Sequence, residues 1–232
     1  MLEPVYRADS KSAARKGMWV RLPPAAPFHA VDFNCVARPP DGTLCADVPG
    51  LGAAYVYLLG LYLGDGNISD GPRAVYRLRI TLDLRYPAVI DACATAIHEV
   101  RFRPSGRVLR QGCCEVYSYW KHWPCLFPQH GVGPKHRRAI RLLSWQLQLL
   151  RDHSAAFLTG LIHSDGCRSL NRVKGHTYPR YFFSNESSDI LGLFELACSL
   201  NGVATRRNRR NSVSVARRTS VAKLDALVPA KA

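Results

Sequence analysis

Apolar residues recur with the spacing of a helix in some segments of the chain and with the spacing of a strand in others. The same order of helix-like and strand-like segments occurs twice. In residues 51–150, a short apolar helix-like stretch precedes an alternating segment, an amphipathic helix and two further alternating segments. A shorter version of the same order fills residues 151–232. The pattern therefore predicts two copies of one supersecondary unit in a single chain.

The alternation is clearest in residues 74–81, where Arg77 and Arg79 share one face of a predicted strand and Leu78 and Ile80 share the other. We expect the apolar face to be buried and the basic face to reach phosphates or bases in a major groove. The remaining periodicity predicts helices at 86–100, 135–150, 187–202 and 220–228, and strands at 107–110, 113–119, 167–173, 178–185, 203–207 and 212–217.

The strongest repeat is a nonapeptide. Residues 58–66 read Leu-Leu-Gly-Leu-Tyr-Leu-Gly-Asp-Gly, and residues 158–166 read Leu-Thr-Gly-Leu-Ile-His-Ser-Asp-Gly. Each copy predicts a short apolar helix that carries small residues one turn apart, namely Gly60, Gly64, Gly160 and Ser164. Because small residues let helix backbones approach closely, the two helices are expected to pack together along these positions.

Each nonapeptide ends in Asp-Gly, and Asp165 follows Asp65 by 100 residues. Gly66 and Gly166 are predicted to stop the helices in the left-handed conformation, which glycine adopts at little cost. The two carboxylates then lie close together at helix C-termini, where the helix dipole and their mutual repulsion both disfavour negative charge. A bound cation explains this placement, and oxygen ligands favour magnesium or calcium.

These nonapeptides resemble the motif of the LAGLIDADG homing endonucleases, and the match covers the Leu-x-Gly-Leu-x-x-x-Asp-Gly skeleton of both copies. Leu63 and His163 stand where the name sequence has its first aspartate. The resemblance implies an α+β fold of two pseudo-symmetric αββαββα repeats, with saddle-shaped antiparallel sheets and the motif helices packed at the centre. The expected divisions are an irregular N-terminal arm (1–50), a first repeat (51–150) and a second repeat (151–232).

The same resemblance implies a monomeric, site-specific endonuclease that cuts both strands of double-stranded DNA at a long pseudo-palindromic or asymmetric site. Asp65 and Asp165 are the implied catalytic metal ligands, with the carbonyl groups of Gly64 and Ser164 as further ligands. Mg²⁺ or Mn²⁺ is the implied cofactor, and Ca²⁺ is expected to bind without supporting cleavage. The metal would activate water and stabilise charge at the phosphate.

Members of this family usually add a lysine beside the nucleophilic water or the phosphate. Lys135 is the candidate that follows the first repeat, and pseudo-symmetry gives Lys231 after the second, with Lys223 as the alternative. Asn185, at the end of a predicted strand, is a candidate for ordering water in the second half-site. His163 is expected to pack at the helix interface and not to bind metal.

The charge of the chain favours a polyanionic partner, because 32 basic residues against 17 acidic ones give a net charge of +15. Basic residues cluster at 135–138, where a helix is predicted to begin, and at 202–223, which contains no acidic residue. Helix N-termini repel cations, so the first cluster is expected to lie near phosphate. The predicted DNA-contacting residues are Arg77, Arg79, Arg137, Arg138, Arg180, Arg206, Arg207, Arg209, Arg210, Arg217 and Arg218.

Other functions remain open at this point. A DNA-binding regulator of the same fold would not cleave, and an RNA maturase would assist splicing of intron RNA; retention of both motif aspartates favours the nuclease. No stretch reaches the roughly 18 apolar residues of a membrane span, and no export signal is recognised, so an intracellular protein (cytoplasm, nucleoid or organelle) that is neither secreted nor membrane-bound is expected. The eight cysteines form no Cys-x-x-Cys pair and are expected to be reduced and structural.

Overall fold

The computed structural model describes residues 51–231, and the predicted N-terminal arm at 1–50 lies outside these described residues. The first half contains α1 (Ala53–Asp65), β1 (Gly66–Asp70), β2 (Tyr76–Asp83), α2 (Pro87–Arg101), β3 (Gly106–Arg110), β4 (Cys113–Trp120) and the single-turn α3 (Trp123–Leu126). The second half contains α4 (Ser144–Asp152), α5 (Ser154–Asp165), β5 (Gly166–Val173), β6 (His176–Ser184), α6 (Ser188–Leu200), β7 (Arg206–Arg209), β8 (Ser212–Val215) and α7 (Arg218–Leu227).

Each half forms one four-stranded antiparallel sheet. The strand orders are β1-β2-β4-β3 in the first sheet and β5-β6-β8-β7 in the second. The two sheets also begin in the same register, since Gly66 lies opposite Ile80 and Gly166 lies opposite Phe183. The predicted α+β fold of two related αββαββα units is therefore confirmed.

One face of each sheet is covered by helices, and we call the other its open face. In the first sheet Leu78 and Ile80 are fully buried beneath the helices, whereas Arg77 and Arg79, which alternate with them in sequence, remain partly exposed. This confirms the predicted alternation along β2. Burying an aliphatic side chain of this size stabilises the fold by about 1.5–3 kcal/mol.

Helices α1 and α5 pack against each other with their backbones almost in contact. A Cβ atom placed on Gly60 would lie 2.9 Å from the Gly160 Cα atom and 2.7 Å from the Phe157 carbonyl oxygen, which is too close for any side chain. The predicted helix pairing along small residues is therefore confirmed. The apolar residues of the two nonapeptides are buried on both sides of this contact: Leu58, Leu61, Tyr62, Leu158, Leu161 and Ile162.

The prediction that Gly66 and Gly166 end the helices in the left-handed conformation is wrong. Gly66 has φ −92° and ψ 154°, and Gly166 has φ −100° and ψ 161°, so both are extended and begin strands. Glycine is needed there because of space. A Cβ on Gly66 would lie 2.5 Å from the Tyr62 Cα atom, and one on Gly166 would lie 2.7 Å from the Ile162 Cα atom.

The helix predicted to start at the basic cluster 135–138 begins nine residues later, at Ser144. Residues before it are held by side chains of other segments: the Ile140 amide donates to Asp189 Oδ2 at 2.8 Å, and Gln129 Nε2 donates to the Arg141 carbonyl at 2.8 Å. The basic cluster therefore does not lie at the N-terminus of α4. The N-cap of α5 is His153.

Candidate active site

Asp65 and Asp165 are the last residues of α1 and α5, so the paired helices bring both carboxylates to one place. A Cβ atom on Gly64 would lie only 3.1 Å from the Asp165 Cγ atom across the helix contact. This proximity depends directly on the small residues at Gly64 and Ser164, because larger side chains would separate the helix ends. The sequence-predicted pair of acids is thus brought together by the fold.

The environment of both carboxylates favours the protonated form. Burial, reinforced by the nearby charge of Asp165, raises the pKa of Asp65 to about 6. Burial also raises the pKa of Asp165, against the opposing effect of the hydrogen bond from Asn185. Two carboxylates in such a place cost free energy when ionised unless positive charge is supplied.

Part of that positive charge comes from Lys135, whose side chain reaches the end of α1. Its Nζ atom donates hydrogen bonds to the carbonyl oxygens of Tyr62 at 2.5 Å, Gly64 at 3.2 Å and Gly66 at 2.6 Å. Burial lowers the Lys135 pKa to about 8, while the charges of Asp165 and then Asp65 act to raise it. An ammonium group at this position also complements the negative end of the helix dipole.

Lys231 lies in the corresponding position beside the end of the other motif helix. Its Nζ atom donates to the Ser164 carbonyl at 3.2 Å, near the end of α5. Burial lowers the Lys231 pKa, and the charge of Asp65 is the largest influence in the opposite direction. Lys223, the alternative from the sequence, instead donates to the Gly202 carbonyl at 2.9 Å and is exposed. The structure therefore places Lys231, and not Lys223, beside the aspartates.

The carbonyl groups predicted as additional metal ligands have other partners. Gly64 O accepts from Lys135, and Ser164 O accepts from Lys231. Each lysine thus contacts carbonyl groups at the end of one motif helix. These carbonyl partners were not visible in the sequence because they depend on where two distant segments return to the centre.

Asn185 bridges the second aspartate and the next helix. Its Nδ2 atom donates to Asp165 Oδ2 at 2.5 Å, and its Oδ1 atom accepts from the Ser187 amide at 2.8 Å. The side chain is therefore fixed at both ends. No equivalent contact to Asp65 occurs among the described residues, so the two halves of the site differ chemically.

His163 is buried between the motif helices and the C-terminal segment. Its Nε2 atom lies 3.0 Å from the Pro229 carbonyl, which can only accept, so Nε2 carries the proton. Nδ1 then accepts from the Tyr57 hydroxyl at 3.0 Å. Burial lowers the His163 pKa and keeps the ring neutral. With both nitrogens engaged, His163 packs at the interface as the sequence suggested.

Open space adjoins both halves of the site. A cavity of about 470 Å³ is lined by residues that include Tyr62, Lys135, Asp165 and Asn185. A second cavity, of about 450 Å³, is lined by residues that include Tyr86 and Lys231. Each lysine therefore faces a space large enough for part of a ligand.

The residues at the centre fit a divalent cation that is shared with a phosphate ligand. No group of three or more His, Cys, Asp or Glu side chains suited to a metal occurs within residues 51–231. Mg²⁺ in proteins commonly uses one or two carboxylates and completes its shell with water and substrate phosphates. Asp65 and Asp165 supply that number, and because burial raises the pKa of each, a bound cation would favour their ionised forms.

The predicted DNA-contacting arginines fall into different places. On the open faces lie Arg77, Arg79, Arg180, Arg206 and, beyond a bulge, Arg209. Outside the sheets and exposed lie Arg137, Arg210, Arg217 and Arg218. Arg138 holds its own loop through the carbonyls of Val132 and Gly133.

Arg207 departs from the expectation for this group. It lies opposite Val213, which is fully buried, and therefore belongs to the helix-covered face of the second sheet. There its Nε and Nη2 atoms donate to Glu195 of α6 at 2.9 and 2.8 Å. The strand period assigns neighbouring arginines to opposite faces, and the run of basic residues concealed this in the sequence.

Glu115 is a charged residue of the open face that the sequence did not single out. It lies on β4 opposite Thr81, with its side chain only 12% exposed, and three arginines surround it. Its position becomes apparent only when the register of β2, β4 and β3 is known.

No helix within residues 51–231 is long and apolar enough to cross a membrane. No protein-family model matches the sequence, and comparison with curated proteins gives no match.

Solved structures do resemble the chain. The homing endonuclease I-WcaI bound to its DNA recognition sequence has a TM-score of 0.52 at 12% identity, over 76% of this chain and 80% of that one. I-DmoI in complex with DNA and Ca has a TM-score of 0.48 at 20% identity, over 75% of this chain and 88% of that one. The N-terminal LAGLIDADG domain of DUF199/WhiA has a TM-score of 0.45 at 12% identity, over 84% and 92%. The overlap with I-WcaI shows a shared fold, and at this identity it shows the fold alone.

Proposed function

Because this chain has the fold of the LAGLIDADG homing endonucleases, we propose that it is a site-specific endonuclease that hydrolyses both strands of double-stranded DNA. The chain is proposed to act as a monomer, since one chain already contains both motif helices and both sheets. Two unequal halves can read two unequal half-sites, so the target need not be a palindrome.

The observation that carries this proposal is the pair of buried carboxylates at the ends of α1 and α5. A fold that needed only a helix contact would place neutral residues there, because burial and mutual repulsion make the ionised pair costly. Asp65 and Asp165 would hold a divalent cation, with Mg²⁺ or Mn²⁺ as the proposed cofactor. When bound, the cation supplies Lewis-acid activation of water and stabilises charge on the phosphate oxygens.

The lysines contribute positive charge that does not depend on the cation. Lys135 and Lys231 are held by helix-terminal carbonyls, which fixes their ammonium groups beside the aspartates before any ligand arrives. Fixed positive charge stabilises the negative charge that develops on a phosphate during hydrolysis. The lowered Lys135 pKa, about 8, also lets this group exchange a proton near neutral pH.

Asn185 has a different part in the second half of the site. Its amide group holds Asp165 Oδ2, which leaves the other carboxylate oxygen free to face the cavity. We propose that Asn185 orients Asp165 and thereby orders water beside the phosphate.

DNA is proposed to lie along the open faces of the two sheets. Arg77, Arg79, Arg180 and Arg206 project from these faces, and the net charge of +15 favours association with a polyanion. Phosphate contacts would supply affinity, while contacts to base edges in the major groove would supply sequence choice.

The experiment is cleavage of a library of randomised duplexes by the full chain with Mg²⁺, followed by sequencing of the new ends. The expected result is recovery of a defined site cut on both strands, with no product when a chelator replaces the metal. Binding of a preferred site without any cut would favour a non-cleaving regulator, and retention of intron RNA in preference to duplex would favour a maturase.

A further inference from the structure

An acidic residue lies at the centre of the basic open face of the first sheet. Glu115 is in the middle of β4, and its side chain is 12% exposed. By register its neighbours across the strands are Thr81 on β2 and Val108 on β3. A carboxylate in this central position faces the same direction as the arginines that would contact DNA.

Three arginines from two neighbouring strands converge on this carboxylate. Arg77 Nη2 lies 3.4 Å from Oε2, whereas Arg79 Nη1 and Arg110 Nε lie 3.6 Å from Oε1. Arg77 is also stacked over the Tyr117 ring, with its guanidinium carbon 4.7 Å from the ring centroid. The arginines are therefore gathered by one acid and are not spread independently over the surface.

The arrangement limits what each arginine can do alone. An isolated, flexible arginine binds any nearby phosphate, which gives affinity without sequence choice. An arginine that is paired with Glu115 must weaken its ion pair with this carboxylate before it can move to a phosphate at an arbitrary position. Since the arginine side chains are 25%, 39% and 59% exposed, their tips remain available to a ligand of matching geometry.

Glu115 itself is too enclosed to be the main contact with a base edge, so it acts through the arginines. We propose that Glu115 is a positioning residue that holds Arg77, Arg79 and Arg110 in one cluster on the open face of the first sheet, and thereby makes DNA binding by this sheet depend on sequence. The inference rests on the proposed function only in taking duplex DNA as the ligand of the open faces; it does not require cleavage.

The second sheet provides an internal comparison. Its acid–arginine pairs within residues 51–231 lie elsewhere. Asp225 binds Arg168 and Glu195 binds Arg207 on the helix-covered face, and Glu186 meets Arg210 at an exposed turn. The second sheet therefore lacks this central acid in the described part of the chain. A change at Glu115 should alter recognition of one half-site and spare the other.

The test compares the wild-type chain with three variants. Glu115→Gln removes the charge at constant shape, Glu115→Asp keeps the charge but shortens the side chain, and Glu195→Gln is the control that loses the same charge on the covered face. Two measurements are made on each: affinity for a short duplex of arbitrary sequence over a range of salt concentrations, and selection of bound sequences from randomised duplexes. Thermal melting confirms that each variant is folded.

Glu115→Gln is expected to bind the arbitrary duplex about five- to tenfold more tightly near 0.1 M salt, with a salt dependence steeper by about one phosphate contact. Its selected sequences should lose preference in one half-site only. Glu115→Asp should lose the same preference without the gain in arbitrary binding, and Glu195→Gln should match the wild type in both measurements.

Three results would overturn the inference: unchanged arbitrary binding by Glu115→Gln, equal loss of preference in both half-sites, or equal recovery of all sequences by the wild-type chain. A wild-type chain that selects a site but never cuts it would overturn only the proposed nuclease activity, because neither measurement depends on cleavage.

Discussion

The carboxyl group of Asp65 is held where both burial and the charge of Asp165 oppose its ionisation. Its pKa of about 6 lies above the value near 3.9 of a free aspartate, so the folded protein binds this proton more tightly than the unfolded chain. The stability of the metal-free protein should therefore fall as pH rises from about 4 to about 6 and remain lower above that range.

The variant Asp65→Asn should remove the free-energy cost of ionising this buried carboxyl group. We expect the free energy of unfolding without metal to increase by about 1–3 kcal/mol at pH 7, and the difference from the wild type to vanish near pH 4. Denaturant unfolding at several pH values measures this difference in stability. The control is Asp70→Asn, which changes an exposed aspartate at the end of β1. A variant that is destabilised at pH 7 would show that the carboxylate is not under electrostatic strain.

Substitution can distinguish the roles of the two candidate lysines near the C-terminus, Lys231 and Lys223. Lys231→Met removes an ammonium group held by the Ser164 carbonyl beside the aspartates, whereas Lys223→Met removes one held at Gly202. Loss of fixed positive charge should reduce cleavage by about 100-fold in Lys231→Met and leave DNA affinity nearly unchanged. Equal cleavage rates for the two variants would contradict the assignment.

These individual residues were predictable to different degrees. Asp65 and Asp165 were found because they belong to a repeated local motif, and Lys231 because it follows the second repeat as Lys135 follows the first. Glu115 and the opposite orientation of Arg207 were not found, since both depend on strand register, which is set by pairing between distant segments.

Among the helices, the contact of α1 with α5 sets the position of both acids. Gly60→Ala would place a methyl group against the backbone of α5, 2.7 Å from the Phe157 carbonyl oxygen. We expect a loss of about 1–3 kcal/mol of stability from overpacking, together with loss of cleavage as the helix ends separate.

Gly192→Ala in α6 is the matched control, because nothing lies within 4 Å of the added Cβ atom. This variant should be more stable by about 0.5–1 kcal/mol, since alanine favours helix over glycine. Thermal or denaturant melting of both variants provides the comparison. Similar stability of Gly60→Ala and the wild type would show that the helices are not in close contact.

The helices and strands also show where sequence patterns lose their predictive value. The alternation along β2 and the apolar positions of α1 were strong local patterns, and both were confirmed. The apolar spacing after Lys135 also suggested a helix, yet Asp189 and Gln129 bind backbone groups of Ile140 and Arg141, and the α-helix begins only at Ser144. Such long-range hydrogen bonds override weak local preference.

For the chain as a whole, DNA binding should depend on which face an arginine occupies more than on the total positive charge. Arg206 and Arg207 are neighbours on β7 but belong to the open and the helix-covered face, respectively. Arg206→Ala should weaken duplex binding and reduce its salt dependence by about one phosphate contact. Arg207→Ala should bind nearly as the wild type, and fluorescence anisotropy over a salt series distinguishes them.

An equal loss of affinity in both variants would mean that DNA binding follows net charge and that the sheet faces have no special part. The partly exposed ion pair of Arg207 with Glu195 predicts a different consequence for that variant, namely a small loss of stability. Melting curves therefore accompany the binding measurements.

The most direct test of the central claim compares cleavage and binding by Asp65→Asn, Asp165→Asn and the wild-type chain on the selected duplex with Mg²⁺. If the paired carboxylates hold the cation that supports hydrolysis, each single variant should lose double-strand cleavage while its affinity for the duplex stays close to that of the wild type. Normal cleavage by either variant would contradict the account.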